Sequence, residues 1–168
     1  MQKNELADQF LVEAAHAIRT RSVSARSIME ATLARAHEVD RRVSCFSELF
    51  EAEALAEADA CDRLLESRAE VGPLFGVPIG IKDLYDLAGK VTAAGTIALS
   101  ARPPAEADAT LVARLRAAGA IVIGRLKMSE GAFAAHHPDL GTPGNPWGAD
   151  LWVRSEERRV GKECRSRW

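Results

Sequence analysis

The sequence predicts an α/β fold in which N-terminal helices pack on the first part of a mixed, largely parallel sheet. Three observations carry that prediction. The first 70 residues place apolar side chains at helical spacing, the pattern changes at Gly72 to short alternating apolar runs, and one further helix precedes a continuous apolar run at 120–124.

The helices come first. In ELADQFLVEAAHAI, Leu6, Phe10, Ala14, Ala17 and Ile18 share one face. Ser24 is suited to cap a second helix, whose stripe is Ile28, Met29, Thr32, Leu33 and Ala36 and whose end falls near Asp40. A third helix runs from Glu51 to Glu66, with Leu55, Ala58, Leu64 and Leu65 as its apolar side. Its Ala and Glu content suits a helix. In GPLFGVPIGIKDLYDLAGK, Val77, Ile79 and Ile81 alternate, which predicts a short strand that ends at Lys82 and Asp83. Residues 89–107 read as irregular, with Pro103 and Pro104 as breakers. Asp108 is placed to cap a helix bearing Leu111, Val112 and Leu115, and Gly119 to stop it. AIVIG, residues 120–124, suits a fully buried strand. Strand, crossover with helix, and strand form a βαβ unit, so the two strands are expected to be parallel. Ser129 can cap a short turn, and 136–150 reads as loop.

Composition excludes several function classes. The 168 residues are 47% hydrophobic and 27% charged, enough for one ordinary domain. No apolar run is long enough for a membrane span. The opening MQKNELADQF lacks the basic-then-apolar layout of a signal peptide. A net charge of -2 argues against a nucleic-acid surface. Cys45, Cys61 and Cys164 form no CxxC and no even framework, as expected of reduced thiols in a cytoplasmic protein. Charge is uneven, because residues 154–168 carry a net +3 and residues 1–153 a net -5. That basic tail has no apolar periodicity and reads as disordered.

Lys82 is the most informative candidate for chemistry. An amine carried to the end of a buried strand loses hydration, which disfavours its charged form, and a neutral amine can act as a base. The alternative is a surface lysine, or one paired with Asp83. IGIK resembles the lysine strand of protein kinases, but no HRD or DFG follows, and no GxGxxG joins strand to helix for a dinucleotide. His136, His137, Asp139 and Asp150 could suggest a metal. Adjacent histidines in extended chain point to opposite sides and there is no HExxH, so loop histidines bonded to backbone are the plainer reading. Trp147, after Pro146, reads as a packing anchor.

Three blocks then point to a family. GPLFGVPIGIKDLYDLAG, DATLVARLRAAGAIVIGRLKMSEGAFA and GTPGNPW, in this order and spacing, resemble the N-terminal part of the amidase signature family. The opening SVSARSIMEATLARAHEVDRRVSCF resembles its first helices, so the likeness covers about residues 5–152. The resemblance implies a larger sheet than this piece can supply. It also implies hydrolysis of a carboxamide by a serine nucleophile, a second serine in a cis peptide bond, and a lysine. Lys82 matches the family lysine, and Met128 in LKMSEG matches a residue near the substrate. Lys127 stands where the family commonly has Asn. No metal or organic cofactor is implied, and the implied partner is a small-molecule amide, with no nucleic acid or membrane; the oligomeric state is left open. EGAFAAHHPDL resembles small-molecule amide hydrolases more than the glutamine-hydrolysing component of the tRNA-dependent amidotransferase, which is the alternative. A non-catalytic, partner-binding module is the third reading.

The family's two serines and its oxyanion loop follow the NPW segment in a Gly/Ser-rich stretch. Here NPWGADLWV continues into RSEERRVGKECRSRW, without such a stretch. Back-translated, the tail resembles sequencing-adaptor DNA. The expectation is therefore an N-terminal amidase portion over 1–153 and a non-native, disordered read-through tail over 154–168. A chain of this kind is expected to be catalytically silent and marginally stable, with an open sheet edge.

Overall fold

The computed structural model describes residues 11–67, 69–133, 135–148 and 151. Tail residues 154–168, with Leu6, Phe10, Asp150 and Cys164, lie outside the described residues. Helix α1 spans Leu11–Arg19 and buries Ala14, Ala15, Ala17 and Ile18. Helix α2 spans Ala25–Val43 and buries Ile28, Met29, Leu33 and Ala36. Ser24 caps it as expected, its Oγ accepting from the Ser27 N–H at 3.0 Å. Asp62 adds a second cap from another helix, accepting from Ala25 N at 2.7 Å and Arg26 N at 3.0 Å. A carboxylate there meets two otherwise orphaned donors at the positive end of the helix. The helix runs three residues past Asp40. It stops at Ser44, in the left-handed region at φ 49°, whose N–H donates to Asp40 O.

The next strand escaped the sequence reading. Phe46–Leu49 is β1, only four residues and half exposed, so its side chains show no alternation of buried and exposed. The Asp40 carboxylate accepts from Phe46 N at 2.8 Å and holds the turn into it. Helix α3 spans Glu51–Glu66, the bounds expected. Its inner face is Ala54 and Ala58, both fully buried, with Leu65; Leu64 is exposed, which corrects its placement on the apolar side. Alanines bring α3 close to α2 and leave no room on that face for a second large side chain.

Strand β2 spans Pro78–Lys82 and strand β3 spans Ile121–Leu126. The sheet order is β1-β3-β2, with β2 parallel and β1 antiparallel to β3. The βαβ expectation holds, and the sheet is mixed. The first five residues of β3 are buried because both its faces are covered. Ile121 and Ile123 join Ile18, Met29 and Phe75 in one core, while Val122 joins Phe50, Ile81, Leu87 and Val112 in another.

Helix α4, Thr110–Ala117, supplies Val112. Asp108 does not cap it: Ala109 stands at the cap with no side-chain bond. Asp108 instead accepts from Ala88 N at 2.8 Å and pairs with Arg116 Nε at 3.2 Å, so its carboxylate ties the crossover to the helix. Leu111 is exposed, since only Val112 of that turn faces the sheet. Gly119 ends the helix as expected, at φ +94°. Residues 89–107 are irregular apart from a short turn, Ile97–Leu99, and an isolated parallel bridge from Ala105 to Ala88.

Cys45 and Cys61 are free thiols. Burial, with Asp62 and Glu57 adding to it, pushes the Cys61 thiol up to about 11. Iodoacetamide at about pH 8 should therefore alkylate Cys61 roughly 100-fold more slowly than a solvated thiol. Peptide mapping that finds equal rates would contradict this.

Candidate active site

Strand β2 brings Lys82 to its C-terminal end, half-buried and in register with Leu126 of β3. The next residue, Asp83, is nearly fully buried, and its N–H donates to Leu126 O at 3.0 Å, extending the ladder by one bond. Asp83 makes its ion pair with Arg125, Nη1 to Oδ1 at 2.9 Å, with both side chains under a tenth exposed. The other oxygen accepts from Gly95 N at 3.3 Å. A buried charge pair costs desolvation on both sides, so its partners are held only by good geometry. Here Asp83 clamps β2, β3 and the 93–96 loop at one point. Among the described residues, Nε and Nη2 of Arg125 have no hydrogen-bond partner.

Beside this clamp opens a cleft of about 350 Å³, lined by residues that include Asp83, Gly95, Lys127, Met128, His136 and His137. Met128 is buried in its wall. Gly95, at φ +70°, lies so near Met128 that a Cβ would sit 2.6 Å from the Met128 carbonyl oxygen, so the loop can close on Met128 only with glycine there. The structure thus brings Met128, His136, His137 and Asp139 to one cleft, and sets Lys82 one residue before its wall.

His137 behaves as a loop histidine. Its Nδ1 accepts from Asp139 N at 3.3 Å and caps the Pro138–Leu140 turn. Among the described residues no group of three or more His, Cys, Asp or Glu side chains could hold a metal ion. Trp147 is 90% exposed, which corrects its reading as a packing anchor. Asn145 Oδ1 accepts from Trp147 N at 2.9 Å, and the resulting turn leaves the indole in solvent. Sequence reasoning passed over Arg125; its one signal was a cation inside the apolar run IVIGRL.

The amidase family profile matches residues 27–153, three quarters of the chain and all of the cleft described here. The chain belongs to the amidase family. It is 44% identical over 143 residues to the putative amidase AmiD of Mycobacterium tuberculosis, covering 85% of this chain and 30% of that one. It is 40% identical over 138 residues to the 1-carboxybiuret hydrolase component AtzE of a Pseudomonas species, covering 80% and 30%. A glutamyl-tRNA(Gln) amidotransferase component of Streptomyces coelicolor is 36% identical over 137 residues, covering 80% and 27%. The solved peptide amidase of Stenotrophomonas maltophilia superposes with a TM-score of 0.66 at 34% identity, covering 74% of this chain and 26% of that one. This chain therefore spans less than a third of the length of these relatives. The amidase match runs through β1, which supplies Phe46 and Ser47 to the cleft, and through the ends of β2 and β3, which Asp83 and Lys127 directly follow. No helix among the described residues is long and apolar enough to cross a membrane.

Proposed function

We propose that this chain is the N-terminal portion of a cytoplasmic amidase that hydrolyses a small carboxamide without metal or organic cofactor. The observation that carries the reading is the position of Lys82, in the family's block of residues, at the end of β2 and beside a cleft walled by Met128. In the whole enzyme a serine Oγ attacks the amide carbonyl carbon. Its proton passes through a second serine to the Lys82 amine, which acts as base. The C–N bond then breaks, ammonia or an amine leaves with that proton, and water hydrolyses the acyl-enzyme to the carboxylate. Met128 contributes apolar wall to the substrate pocket. Both serines and the oxyanion donors belong to a Gly/Ser-rich stretch that the residues after Trp147 do not contain.

A second reading rests on the likeness to the amidotransferase component: the same chemistry, releasing ammonia from glutamine. One experiment separates these readings. The 168-residue chain should release no ammonia from succinamide or glutamine, whereas the longer protein encoded by the uninterrupted gene should. Release from glutamine alone, and only with added partner proteins, favours the second reading. Release by the 168-residue chain itself, abolished by Lys82→Ala, overturns the assignment of the serines to a separate segment.

A further inference from the structure

The cleft has an electrostatic asymmetry that its family membership does not explain. Two of its lining residues carry firm charges close to the Met128 wall, Asp83 and Lys127. Asp83 is neutralised by Arg125 in a buried pair. Lys127 Nζ donates to Ser44 Oγ at 2.7 Å and forms no ion pair among the described residues. The remaining acid, Asp139, has a side chain 75% exposed and stands beside His137 at the rim. Lys127 Nζ also comes within 3.9 Å of where a Cβ on Gly141 would stand, so the ammonium reaches across to the far turn. The Lys127 side chain is half-buried and lines the cleft while its bond to Ser44 is exposed, and an ammonium with three donors and one neutral acceptor keeps donors to spend. Phe46, Met128 and Leu140 give that space apolar walls, which strengthen a charge-assisted bond by excluding water.

We propose that this cleft takes a carboxylate-bearing carboxamide, with Lys127 as the counter-ion of the carboxylate and the specificity-determining residue. The carboxamide half of this assignment rests on the amidase reading; the carboxylate half rests on Lys127 alone.

The test uses the 168-residue chain and two probes of equal length, succinamate and the neutral succinamide. Titrations followed by NMR at the Met128 methyl group, at about pH 8 where an ordinary imidazole is neutral, give both affinities. Succinamate should bind roughly five- to tenfold tighter, the range of a partly screened charge-assisted bond. Lys127→Gln should equalise the two probes, Lys127→Arg should retain the preference, and raising salt from roughly 50 to 500 mM should shrink it. Equal affinities, a preference that survives Lys127→Gln, or no shift at Met128 with either probe would each overturn the proposal. If Lys127→Gln fails to fold, Lys127→Arg and the salt series still decide. Should the longer protein prove unable to hydrolyse amides, the amidase reading fails while the carboxylate preference stands; equal probe affinities in an active amidase remove Lys127 alone.

Discussion

Arg125→Met lowers the free energy of unfolding by about 3–5 kcal/mol, the usual consequence of removing one member of a buried ion pair. The loss comes from Asp83 rather than from the missing arginine contacts. Asp83 is nearly fully buried, and without Arg125 its carboxylate keeps, among the described residues, the Gly95 N–H alone. The clamp joining β2, β3 and the 93–96 loop opens, and the cleft wall opens with it. Domains of this size have about 5–15 kcal/mol in total, so the variant is expected to unfold at low urea. Asp83→Leu placed on top of Arg125→Met removes the stranded charge and should recover most of the loss. A residual cost of about 1–3 kcal/mol remains for the unpaired Gly95 N–H. Urea melts of the single and double variants read this directly. Additive losses would mean that the pair is not the clamp, and that Arg125 acts only through its aliphatic stem.

That clamp also shows where the sequence stops being informative. Asp83 and Arg125 lie 42 positions apart, and nothing local joins them. What local pattern could reach was the frame around them. Helix α3 has the bounds its composition predicts, and Ile121 to Gly124 lie in a strand, as expected of a short apolar run that is buried on both faces. Strand β1 was illegible for the opposite reason. Among the described residues its FSEL pairs only with β3, and its side chains are at least partly exposed, so its conformation comes from that pairing and not from its own residues. Asp108 illustrates competition between local and tertiary bonds. A carboxylate before a helix favours the cap, but here Arg116 and the Ala88 N–H, 20 positions back in the chain, hold it instead. Leu64 and Leu111 count as apolar positions together with their neighbours Leu65 and Val112, but at 3.6 residues per turn adjacent side chains diverge, and only the second of each pair is buried. Around the cleft, the strand end that carries Lys82 was legible from the alternating run before it. The cleft that sets Met128 in a wall with Lys127 depends on the return of residues 136–141, which carry no periodic signal.

In the longer protein, Lys82→Ala should reduce kcat about 10²–10⁴-fold, the range for loss of a positioned general base. KM should change little, because Lys82 stands one residue outside the wall of the cleft, whereas Met128 lines it. Met128→Ala should show the reverse, a raised KM with most of kcat retained. Lys82 could serve in either of two ways: its amine could accept the proton, or its charge could merely hold neighbouring groups in place. Lys82→Arg separates them. Arginine keeps a cation at the end of β2 but does not give up its proton at any working pH. A base is lost in that variant as fully as in Lys82→Ala, whereas a fixed positive charge is retained. The side chain is half-buried, so neither substitution opens a core cavity, and thermal midpoints close to that of the parent should accompany the lost turnover. Retained turnover in Lys82→Arg would leave the electrostatic role standing and withdraw the proton-accepting one, and with it the assignment of this strand end as the catalytic base.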